Sequence, residues 1–230
     1  MCGRYQVSTP VEDIARRFDA TLTEEAAQLG PRYNVAPTLP VPVVRVRHEA
    51  RELAALTWGL VPSWSNDLSG IKAINARADT IFEKATFRTA IRRRRCLIPA
   101  DSFYEWQQRP DRRQPWHIGM LDGSLFAFGG IWEYWAREGA EPVVSCAIVV
   151  TEANELLARI HDRMPVIVAP DDYSRWLDPE LREPVEIRRM LAPYPAHEMK
   201  AYPISTRVND VRNDGPELVQ PVSEEGDREA

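Results

Sequence analysis

The sequence predicts an α+β fold: one domain with a β-rich core, a mixed sheet or barrel-like arrangement, and helices at its periphery. Two observations carry that reading. Short apolar runs bounded by turn residues outnumber segments of helical period. Strand and helix patterns also fail to alternate as a doubly wound parallel sheet requires. No internal repeat stands out, and 230 residues suffice for one large domain.

Taken along the chain, the first helical period covers residues 11–18. Strand-like apolar runs follow at 41–46 and 53–58. A second helical pattern at 86–95 leads into a run at 96–99, and further runs lie at 125–131 and 143–150. Helical spacing returns at 154–160, a run follows at 164–168, and a last helix is predicted at 171–177. Asp and Thr residues near the helix starts are expected to cap them. Residues 179–203 are proline-studded and are expected to wrap the surface without chemistry of their own. The domain is expected to span residues 2–221, with 222–230 an acidic, disordered tail.

Bulk properties exclude several classes. No apolar run approaches the ~20 residues that cross a bilayer, and no charged-then-apolar leader opens the chain. The expected location is therefore cytoplasmic, with no membrane partner. Cys2, Cys96 and Cys146 are far apart and form no C-x-x-C pair, which argues against a zinc site or disulfide framework. No metal or organic cofactor is expected, and Cys96 and Cys146, in apolar strands, read as buried inert thiols. The net charge of −5 gives no global attraction to nucleic acid, so any such contact needs a local basic patch. Arg88 and the run Arg92 to Arg95 form the one concentrated positive charge, with a solvated helix end as the rival reading.

The second residue carries the most chemistry. Removing the initiator from Met1-Cys2-Gly3-Arg4-Tyr5 leaves an N-terminal cysteine, whose α-amine is partly neutral near pH 7 and whose thiol sits on the adjacent carbon. With an aldehyde the amine forms a Schiff base and the thiol closes on the imine carbon, giving a thiazolidine. The rival reading is an ordinary small residue at a terminus.

Several dense polar and aromatic words recur downstream: Tyr33 to Thr38, Trp58 to Trp64, Asn75 to Thr80, Arg94 to Ala100, Phe103 to Trp106, Thr151 to Asn154, His161 to Pro165, and Ser205 to Asn209. In this order and spacing the chain resembles the SOS-response-associated peptidase (SRAP) family, the abasic-site processing proteins, from Cys2 to about Pro221. The resemblance implies the SRAP fold and a protein, expected to be a monomer, that acts at abasic sites in single-stranded DNA.

It further implies a thiazolidine crosslink between Cys2 and the ring-opened sugar, and autocatalytic removal of Met1. Such a protein would shield the lesion at replication forks, with fork proteins as candidate partners and a nucleoid-associated location. By the same resemblance Cys2 is the nucleophile, Glu105 opens the sugar ring, His161 moves protons around the imine, and Asn75 orients the terminal amine. Arg77 and Arg163 match positions that grip flanking phosphates, and Arg4 is a candidate helper with a structural ion pair as rival. Trp64, Trp106, Pro40 and Leu39 offer stacking or wedging surface. Trp58, Trp116, Trp132, Trp135 and Trp176 are left to packing, and His48, His117 and His197 to structure. Two other readings stay open: a cysteine peptidase acting in trans through Cys2 and His161, and a non-covalent binder of single-stranded DNA.

Overall fold

The runs at 41–46 and 53–58 become two long strands joined by a two-residue turn at His48 and Glu49, both at positive φ (51° and 66°). That geometry matches the twist of an antiparallel hairpin. The structure, a computed structural model, describes residues 2–68 and 72–223. Its elements are β1 (Tyr5–Val7), α1 (Val11–Arg17), β2 (Thr21–Leu22), β3 (Arg32–Val35), β4 (Pro40–Arg47), β5 (Ala50–Trp58), β6 (Asn75–Arg77), α2 (Ala90–Arg93), β7 (Arg95–Ala100) and β8 (Ser102–Gln108). They continue with β9 (Arg113–Met120), β10 (Phe126–Trp135), β11 (Val143–Glu152), β12 (Arg163–Pro165), α3 (Tyr173–Leu177), α4 (Pro184–Arg189) and β13 (Met199–Pro203).

Strands β11, β10, β7, β4 and β5 pair in that order, and β5 pairs back onto β11, so the larger sheet closes on itself. Closure removes open edges within the ring. A second sheet, ordered β13-β9-β8-β1-β3, packs against it. The seam between them is aromatic: Tyr5 of β1 meets Trp58 and Phe128 at 5.4 and 5.6 Å, and Phe103 meets Phe128 at 5.9 Å. The β-rich α+β domain expected from the sequence is thus observed.

Gly129 and Gly130 let β10 lie close to its neighbours. A Cβ at Gly130 would meet Ile98 Cδ1 at 2.8 Å and Cys96 Sγ at 2.9 Å, both fully buried residues. Overpacking of this kind costs about 1–3 kcal/mol. Gly130→Ala is expected to lower the free energy of unfolding by that amount, read as a lower urea midpoint with an unchanged slope of the unfolding curve.

Three helical expectations need correction. The pattern at 86–95 yields only α2, because Arg95 turns inward to start β7; it is 3% exposed and donates to Trp176 O at 2.6 Å and Ile91 O at 2.8 Å. The residues at 154–160 form only a 3₁₀ turn, Leu157–Arg159, tied down by Asn154, whose Oδ1 accepts from Leu157 N at 3.0 Å and whose Nδ2 donates to Tyr194 O at 2.8 Å. One turn is too short to propagate a helix. None of α1 to α4 receives a side-chain cap at its start; the hydroxyls that accept from turn starts, Thr23 Oγ1 from Ala26 N and Ser205 Oγ from Arg207 N, belong to 3₁₀ turns.

The 179–203 stretch also holds more than a surface wrap, since it contains α4 and β13. Beyond it, Val222 N donates to Pro203 O at 3.0 Å, so Val222 is fixed to the second sheet. Residues 224–230 of the acidic tail lie outside the described residues.

Candidate functional site

Strand β11 is the ruler of the site. Along one edge it pairs first with β5, Cys146 opposite Trp58, and then with β6, Ile148 opposite Asn75 and Val150 opposite Arg77. On its other edge, past the end of β10, Glu152 pairs with Arg163 of β12. From Cys146 to Glu152 this covers about 20 Å at the rise of a strand. Trp58, Asn75, Arg77 and Arg163, separated by over a hundred positions in sequence, are thereby set in a row.

Cys2 lies beside the middle of that row and is fully buried. Asn75 Nδ2 donates to the Cys2 carbonyl at 2.9 Å. The other amide atom, Asn75 Oδ1, is buried and has no hydrogen-bond partner among the described residues. Burial pushes the Cys2 thiol well above its ordinary value, and the Glu105 carboxylate adds to the effect.

Glu105 comes from β8. Tyr5 pairs with Phe103, and Tyr104 N donates to Arg4 O at 3.0 Å, so the antiparallel register carries Glu105 opposite the chain just after Cys2. Its side chain is 2% exposed, and that desolvation raises its carboxyl pKa against the opposing pull of the His161 imidazole.

His161 follows the 3₁₀ turn Leu157–Arg159 and is anchored there by His161 N donating to Leu157 O at 2.9 Å. Gln107 of β8 donates to Arg159 O at 2.8 Å, which ties that turn to the strand bearing Glu105. Arg163 N donates to His161 Nδ1 at 3.0 Å. The same Nδ1 lies 2.9 Å from Asp162 Oδ1, so the ring is held between the backbone and a carboxylate.

Arg77 and Arg163 converge on one carboxylate. Asp79 Oδ2 accepts from Arg77 Nη2 at 2.5 Å and from Arg163 Nη2 at 3.4 Å. Arg4 is committed elsewhere: its Nη1 donates to Asn34 Oδ1 at 2.7 Å and Val208 O at 2.8 Å, and its Nη2 to Asn209 O at 3.2 Å. It pins the segment after β13 across β1 and β3. Asn34 Nδ2 reinforces this through Val208 O, Asp210 O and Asn213 O, and Asp214 receives Tyr33 N and Asn34 N.

The apolar candidates divide. Trp64 is 54% exposed, in a turn pinned by Trp135 Nε1 donating to Ser65 O at 2.8 Å. Trp106 is half-buried, its Nε1 donating to Asn209 Oδ1 at 2.7 Å. Leu39 is half-buried and Pro40 exposed at the start of β4, where Trp58 N donates to Leu39 O at 3.0 Å. A cavity of about 220 Å³ opens beside them, lined by Thr38, Trp58, Leu68 and Lys72 among others.

The arginine run expected as a DNA attractor is dispersed. Arg95 is interior, Arg94 pairs with the buried Glu133 at 2.7 Å, and Arg92 donates to Arg88 O at 2.7 Å. Arg88 and Arg93 are exposed and Arg92 is half-buried, so three of the five charges stay at or near the surface. Cys96 and Cys146 are buried. Of the tryptophans left to packing, Trp58, Trp135 and Trp176 are buried, while Trp132 lies half-buried with the Arg45 guanidinium 4.4 Å from its ring.

His117 is structural in a way that predicts acid sensitivity. It stacks on Tyr202 at 4.7 Å, and burial lowers its pKa from 6.5 to about 4. The unfolded chain therefore binds a proton that the folded chain does not between those values, and stability falls as pH drops through that window. The loss by pH 4 is expected to reach about 3 kcal/mol. Urea unfolding at pH 7 and pH 4 measures it, and His117→Phe should flatten the dependence.

Among the described residues no group of three His, Cys, Asp or Glu side chains is placed to hold a metal ion. No helix among them is long and apolar enough to cross a membrane.

A small closed barrel thus buries the second-residue cysteine against the Asn75 amide, with the Glu105 carboxyl near enough to act on its thiol and His161 near enough to act on Glu105. The chain belongs to the SRAP family, described as SOS response associated peptidase, whose sequence profile matches residues 1–211. It is 39% identical over 222 residues to the abasic site processing protein YoqW of Bacillus subtilis, covering 96% of this chain and 99% of that one. It is 31% identical over 228 residues to the abasic site processing protein YedK of Escherichia coli, covering 96% and 100%. A crystal structure of a protein from Bacteroides thetaiotaomicron superposes with a TM-score of 0.87 at 28% identity, covering 96% of this chain and all of the other.

Proposed function

We propose that this protein processes abasic sites in single-stranded DNA, capturing the lesion covalently through Cys2 once Met1 has been removed. The observation that carries the reading is the buried Asn75 Oδ1 beside Cys2, which has no hydrogen-bond partner among the described residues and whose sister Nδ2 already holds the Cys2 carbonyl. A free α-amine at Cys2 supplies the donor that this acceptor lacks. The amine is then fixed where a bound aldehyde is to be attacked.

The chemistry balances without a cofactor. An abasic deoxyribose is a cyclic hemiacetal, and Glu105, with its raised pKa, donates a proton to the ring oxygen as the C1′ hydroxyl loses one, freeing the aldehyde. The Cys2 amine adds to C1′ and water leaves, giving an imine. The thiol sulfur then adds to the imine carbon, its proton passing to the imine nitrogen, and the thiazolidine closes. Overall, protein and DNA join with loss of one water. His161, which follows the turn tied to the strand of Glu105, exchanges protons with the leaving hydroxyl.

A peptidase acting in trans is less well supported, because burial raises the Cys2 thiol rather than activating a thiolate. Removal of Met1 needs only one turnover. The test is to incubate Met1-free protein with single-stranded DNA carrying one abasic site and run a denaturing gel. A shifted band confined to the abasic oligonucleotide is expected. Equal or absent bands with abasic and intact DNA would overturn the proposal.

A further inference from the structure

Asp79 stands between the two arginines that the proposed function assigns to phosphates. Its Oδ2 accepts from Arg77 Nη2 at 2.5 Å and from Arg163 Nη2 at 3.4 Å. The two donors come from β6 and β12, on opposite edges of β11, so only a group lying across the strand end engages both. A carboxylate offers guanidinium groups the same kind of acceptor as a phosphate does: a pair of anionic oxygens that suits forked donors.

We propose that Asp79 is a specificity-determining residue that occupies the phosphate seat of Arg77 and Arg163, so that an undamaged strand must displace it to bind. The inference rests on the phosphate-gripping role given to these arginines. It accounts for a carboxylate placed where a DNA-binding surface would be expected to carry only positive charge. All three side chains are partly exposed, at 49%, 44% and 24% for Arg77, Asp79 and Arg163, so water screens the pairs and a strand can exchange for them. The hydrogen bond from Arg77 also lowers the Asp79 pKa, which keeps the competitor charged.

The consequence is discrimination. Asp79 shortens the stay of every strand on the two arginines, so only a strand whose aldehyde reacts while it is bound is kept. A strand without the aldehyde dissociates.

The experiment measures binding of an undamaged fluorescent single strand by anisotropy across a salt series, and crosslinking of the abasic strand on a gel. It uses Met1-free wild type, Asp79→Asn, Asp79→Ser and Glu138→Gln. Glu138 is an exposed residue of the β10–β11 hairpin, and its neutralisation makes the same change in net charge. Thermal melts establish that each variant is folded, and Asp79→Ser provides a second side chain should asparagine perturb the turn.

Both Asp79 variants are expected to bind undamaged DNA about two- to five-fold tighter at low salt, the range that an exposed ion pair of this kind contributes. Their salt slopes should steepen by up to about 0.7 per phosphate contact no longer contested. Glu138→Gln should leave affinity within error. Unchanged or weaker binding in both Asp79 variants, or an equal gain in Glu138→Gln, would overturn the proposal while leaving the crosslinking chemistry intact. Failure of the wild type to crosslink the abasic strand would instead remove the function on which it rests.

Discussion

Replacing Cys2 by serine is expected to reduce the denaturation-resistant DNA adduct to background. The α-amine survives this change, so an imine still forms, and borohydride should trap it on the abasic strand. What is lost is the sulfur that closes the ring, and with it the protection of the imine from hydrolysis. The variant therefore separates two steps: adduct with borohydride, none without. Cys2 is fully buried, so the serine hydroxyl costs on the order of 1–3 kcal/mol of folding stability. For a chain of this size that corresponds to a melting shift of a few degrees per kcal/mol, and the protein remains folded at assay temperature. A stable adduct from the serine variant, formed without reductant, would show that another nucleophile does the work.

Glu105→Gln should move activity and stability in opposite directions. The side chain is 2% exposed and its pKa is raised because burial disfavours the carboxylate. A carboxyl raised in the folded state gives stability that is fully present below its unfolded pKa and is lost as pH rises through its folded pKa. Near pH 7 the native residue therefore bears part of that cost, and glutamine, always neutral, does not. The melting temperature of the glutamine variant is expected to exceed that of wild type at pH 7 and to converge with it near pH 4.

Crosslinking, by contrast, should slow by about 10²–10⁴-fold, the usual contribution of a positioned acid or base. The wild-type rate should also fall on the alkaline side as Glu105 loses its proton, and this limb should vanish in the variant. A variant that crosslinks at the wild-type rate would remove Glu105 from ring opening.

The barrel was legible because its strands bury side chains on a dry interior. Residues 41–46, 53–58, 96–99 and 143–150 are apolar runs that fall inside β4, β5, β7 and β11. The second sheet was nearly invisible for the opposite reason. Its strands bury polar groups, Gln6, Asn34, Ser102, Glu105, Gln114 and His117, which break the apolar signal. Those polar groups are there because this sheet frames the site and holds the segment after β13.

The candidate residues were named through motif resemblance, and spacing alone carries little of them. Asn75 and Glu105 reach Cys2 only through the pairings of β6 with β11 and of β1 with β8, and His161 comes near Glu105 only through the turn after β11; no local pattern specifies these. Asp79 lay within the motif from Asn75 to Thr80, and its signal was a negative charge two residues from Arg77. Asn209 lay in the motif from Ser205 to Asn209, and only its contacts with Arg4 and Trp106 disclose a role in holding them. Arg95 misled because four successive arginines look solvated until one of them begins a buried strand.

The most direct test is intact-mass and peptide-level mass spectrometry of the adduct formed with an abasic single strand in the absence of reductant. The account predicts a species lacking Met1, with the mass of protein plus oligonucleotide less one water, mapping to the peptide that begins at Cys2. An adduct on a lysine, or one that retains Met1, would contradict it.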